Sequence, residues 1–141
     1  MILSDATVAA DPQAWLRWLA VHPEQLEPGL RLEEERTVAE GVPMLAGRDA
    51  LERPVLVAAA TDFAPLFFDA LLQAVGQLRP ARPRVDVLAA GYPVPAQRRL
   101  EVLGMAFPLR AWRVRANDAG TMEPMGLELR LPAGAAPEAV L

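Results

Sequence analysis

The sequence predicts an α/β protein with a mixed sheet, on three observations. Segments of helical period alternate with short apolar runs of strand length. Two such runs in "VPMLAGRDALERPVLVAAA" flank a polar turn around Asp49 to Arg53, the pattern of a hairpin. Near the end, "WRVR" and "LELRLP" both alternate about the turn signal "NDAG", adding a second hairpin. Strands interleaved with helices and joined by hairpins make a sheet of mixed direction.

The elements follow in order. "DPQAWLRWLAVHPEQL" opens with Asp11 as a helix cap and Pro12 at the first helical position. Trp15, Leu16, Trp18 and Leu19 give the helix an apolar face, which His22-Pro23 interrupts. "LRLEEERTV" is an exposed strand carrying three consecutive glutamates, and the hairpin of residues 42–60 follows. "FAPLFFDALLQAVGQLRP" has helical period and stops at Pro80. "RVDVLAAG" is a compact strand, "PAQRRLEVLG" a short helix closed by Gly104, and "AFPLRAWRVRA" a further strand. The order is helix, strand, hairpin, helix, strand, helix, strand and an added strand.

With 141 residues, 52% of them hydrophobic, the chain suits one domain over residues 1–132, followed by a flexible tail over 133–141. No apolar run approaches the length of a membrane span, and "MILSDATVAADP" lacks the layout of a signal peptide, so a cytoplasmic location is expected. Cysteine is absent, which excludes disulfides and thiolate chemistry from these residues. All 14 basic residues are arginine, so no lysine amine is present for a Schiff base or for a scissile phosphate. The net charge of -4 conceals an asymmetry: residues 79–115 hold eight arginines against Asp86 and Glu101. Such an island is either an electrostatic footprint for phosphate or an ordinary solvated face.

The segments "HPEQLEPGLRLEEERTVAEGVPMLAGRDALERPVLVAAATD", "DALLQAVGQLR" and "RVDVLAAGYPVPAQRRLEVLGMAFPLRAW" resemble the C-terminal nuclease domain of the NucS/EndoMS mismatch endonucleases, in the PD-(D/E)XK superfamily. The resemblance runs over about residues 12 to 113, with "PEQLEPGL" matching the family's opening and the closing hairpin outside the pattern. It implies a restriction-endonuclease-like mixed sheet flanked by helices, to which the chain's own pattern adds the extra C-terminal hairpin.

It also implies where a nuclease would hold its metal. The family uses an aspartate on the first hairpin strand, a glutamate near the end of the second and a lysine two residues further on. Hard cations take oxygen ligands, and residues two apart on a strand share a face. The corresponding residues are Pro43, Ala58 and Ala60. The helical glutamate that often completes the site falls near Val21, while Gln73 matches a glutamine the family keeps. No metal or other cofactor is therefore expected.

Asp49, Glu52, Asp62 and Glu33 to Glu35 are the carboxylates from which a relocated metal site could be built. Turn carboxylates ordinarily cap or solubilise a hairpin, and Asp62 stands where it caps the following helix. His22, the single histidine, reads as a loop or cap residue. Tyr92 and Trp112, near arginines, fit either base-stacking platforms or core and strand-end packing. The Phe-rich helix has apolar stripes on more than one face, as a sandwiched helix or a partner surface does.

The reading is a catalytically inactive nuclease-fold domain acting as a binding or assembly module, expected to form a homodimer and to meet a protein partner. Two alternatives stand beside it: a nucleic-acid-binding protein using Arg79, Arg82, Arg84, Arg98 and Arg99, and a metal nuclease with a relocated site.

Overall fold

In the computed structural model the described residues are 12–39, 42–60, 62–115 and 126–131. Helix α1 (Pro12–Val21) buries Trp15, Leu16, Trp18 and Leu19, positions that recur on one helical face. It ends where His22 donates its backbone N–H to Trp18 and Leu19 and stacks its ring on Trp18 at 4.8 Å. Pro23, with no N–H to continue the ladder, opens a 3-10 turn at Pro23–Gln25. Asp11, expected as the cap of α1, lies outside the described residues.

Strand β1 (Arg31–Ala39) runs through the glutamates, with a register shift between Leu32 and Glu34. It tolerates them because it is an edge strand: Glu33 and Glu35 are exposed, and charge on an edge discourages unwanted pairing. Strands β2 (Val42–Arg48) and β3 (Pro54–Ala60) form the expected hairpin, with Met44 opposite Ala58 and Gly47 opposite Val55. Its turn places Glu52 at φ 64.

Helix α2 (Pro65–Gln77) follows, then β4 (Arg84–Ala89), α3 (Val94–Leu103), β5 (Leu109–Arg115) and β6 (Gly126–Leu131). The sheet order is β1-β2-β3-β4-β5-β6. β3, β4 and β5 run parallel through crossovers that contain α2 and α3, whereas the β1–β2, β2–β3 and β5–β6 pairs are antiparallel. The expected α/β architecture with a mixed sheet is therefore the observed one. The connection between β5 and β6, including the predicted turn, lies outside the described residues, as does the segment 133–141 expected to be a tail.

Alternation along the strands divides the apolar residues between two layers. Leu56, Ala58, Ala60, Val85, Val87 and Ala111 pack with Phe67, Phe68, Leu71 and Ala74 of α2 and Leu100 of α3. Leu45, Val55, Val57, Ala59, Leu88 and Val114 pack under α1. Among the described residues, no helix is long and apolar enough to cross a membrane.

Helix α2 departs from the sequence reading in one respect. Phe67, Phe68, Ala70, Leu71 and Ala74 are buried, but Leu72 is 47% exposed and Leu66 is also exposed. The helix rests on the sheet by one side, so its apolar character does not extend to a second buried face.

Candidate functional site

The parallel strands β3, β4 and β5 end on the same side of the sheet, and open α/β sheets commonly bind ligands beyond those carboxyl ends. Ala58 and Ala60 stand there at the end of β3, both buried and both on the α2 face. Pro43 does not join them. Met44 is the residue opposite Ala58, and Val42, Met44 and Ala46 belong to the α2 layer. The two-residue period therefore assigns Pro43, half-buried, to the opposite face together with Leu45. Gln73 is exposed on α2, and Val21 is 72% exposed at the end of α1, so neither belongs to the buried layer that holds the alanine pair.

Aromatic rings belong to the same layer as Ala58 and Ala60. Phe63, Phe67, Phe68 and Tyr92 cluster there, with Phe63 at 5.4 Å from Phe67 edge-on and 5.3 Å from Tyr92. Phe67 meets Phe68 edge-on at 5.4 Å. Such pairs add attraction beyond the area that they bury. The Tyr92 hydroxyl lies 3.1 Å from the Val87 carbonyl and 2.5 Å from that of Trp112, so it fastens the cluster to β4 and β5. Gln97 on α3 donates to the Tyr92 carbonyl at 2.8 Å. Tyr92 thus has the core and strand-end placement. The role of Phe63, just before α2, and of Gln97 went unread in the sequence; the "TDFAP" stretch after the alanines was the available signal.

The carboxylates considered for a relocated site have local occupations. Asp62 accepts the Ala64 N–H at 3.2 Å, a turn just before α2, whose N-cap position is held by Ala64 rather than by Asp62. Glu52 pairs with Arg31. Asp49 is buried and accepts from the backbone N–H of Leu51 and Arg53, each at 2.9 Å, and from Arg53 Nε at 2.8 Å. Among the described residues, no three acidic or histidine side chains form a metal-sized group.

The bond from the Arg53 backbone N–H leads the causes that hold the Asp49 pKa below its ordinary 3.8. A lowered folded-state pKa contributes stability above the unfolded value, and that contribution is lost as pH falls from about 3.8 through the folded value. Asp49→Asn is accordingly expected to lower stability at pH 7 and to flatten the acid limb of the stability curve. Parallel acid limbs for the two proteins, measured by urea unfolding, would remove Asp49 from the account.

The basic island divides. Arg84 is not available as a surface ligand: its Nε lies 3.1 Å from Asp86 Oδ2 and its Nη1 2.9 Å from Glu27 Oε1, with Asp86 fully buried. Arg110 bonds Asp86 Oδ1 at 2.7 Å, and Trp112 Nε1 donates to the same oxygen at 3.0 Å. Trp112 therefore supports a buried ion network. A buried carboxylate recruits cations because charge removed from water must be compensated, and that need removes Arg84 from the expected surface. The other four residues are exposed: Arg79 and Arg82 before β4, Arg98 and Arg99 on α3. Arg82 donates to the Ala106 carbonyl at 2.9 Å, and the Arg99 guanidinium lies 5.0 Å from the Phe68 ring centre, a cation–π contact.

No protein-family model matches the chain, and no curated protein matches it. Among solved structures, one described as EndoMS in apo form is similar over 73% of this chain, at 21% identity and a TM-score of 0.59. The match takes in 46% of that protein, so the present chain corresponds to less than half of its length. The likeness is one of fold, and it agrees with the architecture above: a mixed sheet flanked by helices, similar to that of the EndoMS structure.

Proposed function

We propose that this chain is a nuclease-fold domain that does not hydrolyse nucleic acid and serves as a binding or assembly module. The observation that supports this reading is the environment of Ala58 and Ala60. At the end of β3, where the NucS resemblance places a carboxylate and a lysine, stand two buried methyl groups in one layer with Phe63, Phe67, Phe68 and Tyr92. A methyl group offers no lone pair to a cation and no charge to a phosphate. Aromatic packing further disfavours a hydrated divalent ion, which requires oxygen ligands. Asp62 and Asp49 are engaged in turns, which argues against a transferred site.

The expected result is no cleavage of single- or double-stranded DNA or RNA by the purified protein with Mg²⁺ or Mn²⁺. Cleavage that persists through purification and disappears in Asp62→Ala would establish a relocated site and end this reading. The exposure of Arg79, Arg82, Arg98 and Arg99 favours nucleic-acid binding as a second reading. Native gels of the same mixtures test it, since phosphate contacts weaken as salt rises.

A further inference from the structure

We propose that Arg84 and Arg110 form a cradle for a small oxyanion, and that the Glu27 carboxylate occupies this cradle in the structure. The cradle lies at the opposite end of the parallel strands from Ala60. Arg84 is the first residue of β4, and Arg110 is in the first turn of side-chain alternation of β5, next to Leu109. Asp86 and Trp112 share their side of the sheet with Leu88 and Val114, the α1 layer.

Asp86 organises the pair. Its Oδ2 accepts Arg84 Nε at 3.1 Å and its Oδ1 accepts Arg110 Nε at 2.7 Å, while Trp112 Nε1 holds Oδ1 at 3.0 Å. Each guanidinium is thus anchored through its Nε edge, leaving its outer nitrogens for another acceptor. Glu27 supplies only part of what they need. Its Oε1 lies 2.9 Å from Arg84 Nη1 and 3.4 Å from Arg110 Nη2, so one oxygen serves both cations. The Nη2 atoms of Arg84 and Arg110 are buried and make no hydrogen bond, Arg110 Nη2 having only the 3.4 Å ion-pair contact with Glu27. Buried donors without acceptors are costly, and arginine pairs oxyanions with several acceptor oxygens well.

Charge balance agrees. Two arginines against the buried Asp86 leave one positive charge, which Glu27 offsets and which an incoming anion would offset in its place. Solvent reaches the edge of the group: Glu27 belongs to the connection between the 3-10 turn and β1, and its side chain is 25% exposed, with Arg84 at 17% and Arg110 at 26%. Glu27 is therefore an internal competitor, displaced when a better acceptor is present. The shared chemistry is that of a phosphate or carboxylate group.

The test titrates inorganic phosphate and, separately, acetate into the wild type and Glu27→Ala at constant ionic strength. The Arg84 and Arg110 Nε–Hε signals are followed by ¹⁵N NMR. Saturable shifts of both signals are expected for at least one anion, with binding about tenfold or more tighter in Glu27→Ala because the competitor is gone. Tighter phosphate than acetate identifies a phosphate group as the ligand, and the reverse a carboxylate. No saturable shift in either protein, or the same response to chloride, would overturn the proposal and leave the two Nη2 groups to ordered water. Should Glu27→Ala fail to fold, the wild-type titration decides by the same criterion.

Discussion

Asp86→Ala is expected to cost about 3–5 kcal/mol, the penalty typical of removing one partner from a buried ionic group. The wild-type carboxylate is fully buried and satisfies Arg84 Nε, Arg110 Nε and Trp112 Nε1 at 3.1, 2.7 and 3.0 Å. Its removal leaves two guanidinium groups side by side with only Glu27 between them. The arginines retain some contact with water, which draws the cost toward the lower part of that range. Against a typical total stability of about 5–15 kcal/mol, the loss is large enough to leave a substantial unfolded fraction in a marginal protein. Urea unfolding of Asp86→Ala beside Arg98→Ala measures it, since an exposed substitution ordinarily stays within about 0.5 kcal/mol. Equal midpoints for the two variants would show that the network contributes no more than a surface charge.

Gly47→Ala is the second large effect. A Cβ at this position meets the Arg31 carbonyl oxygen at 1.8 Å, the Arg31 carbonyl carbon at 2.8 Å and Leu32 Cα at 2.9 Å. These are backbone atoms, so no side-chain rotation relieves the clash, and β1 must withdraw from β2. The expected cost is on the order of 3 kcal/mol, the upper part of the range for overpacking. Hydrogen exchange should locate it, with protection lost along the Arg31–Arg48 and Leu32–Gly47 pairings before β3 and β4 are affected. Gly76→Ala is the control of opposite sign. Its Cβ meets nothing within 4 Å, and alanine in a helix is favoured over glycine by about 0.5–1 kcal/mol. Uniform loss of protection in Gly47→Ala would indicate global rather than edge destabilisation.

Much of this architecture is legible in the chain because local rules and burial agree. Pro12 followed by the Trp15–Leu19 face makes a helix, and the two apolar runs about Asp49 to Arg53 make the hairpin of β2 and β3. The glutamate-rich "LEEERT" segment is a strand as well, since an edge position lets glutamate face water. The chemical exclusions are equally local: without lysine or cysteine, these residues supply neither a lysine amine nor a thiolate, and the methyl side chains of Ala58 and Ala60 bear no metal ligand in any conformation.

What the chain order alone did not reveal depends on which faces meet. Pro43, grouped with Ala58 and Ala60 by resemblance, falls on the other face because Met44 is the residue opposite Ala58. Arg84, grouped with the surface arginines by its place in a basic stretch, turns instead to Asp86 and to Glu27, 57 positions earlier. Composition and periodicity report the charge of a segment and the character of its faces. Only the packed sheet decides which charges are buried together, because the cost of burying a charge depends on partners brought in from distant parts of the chain.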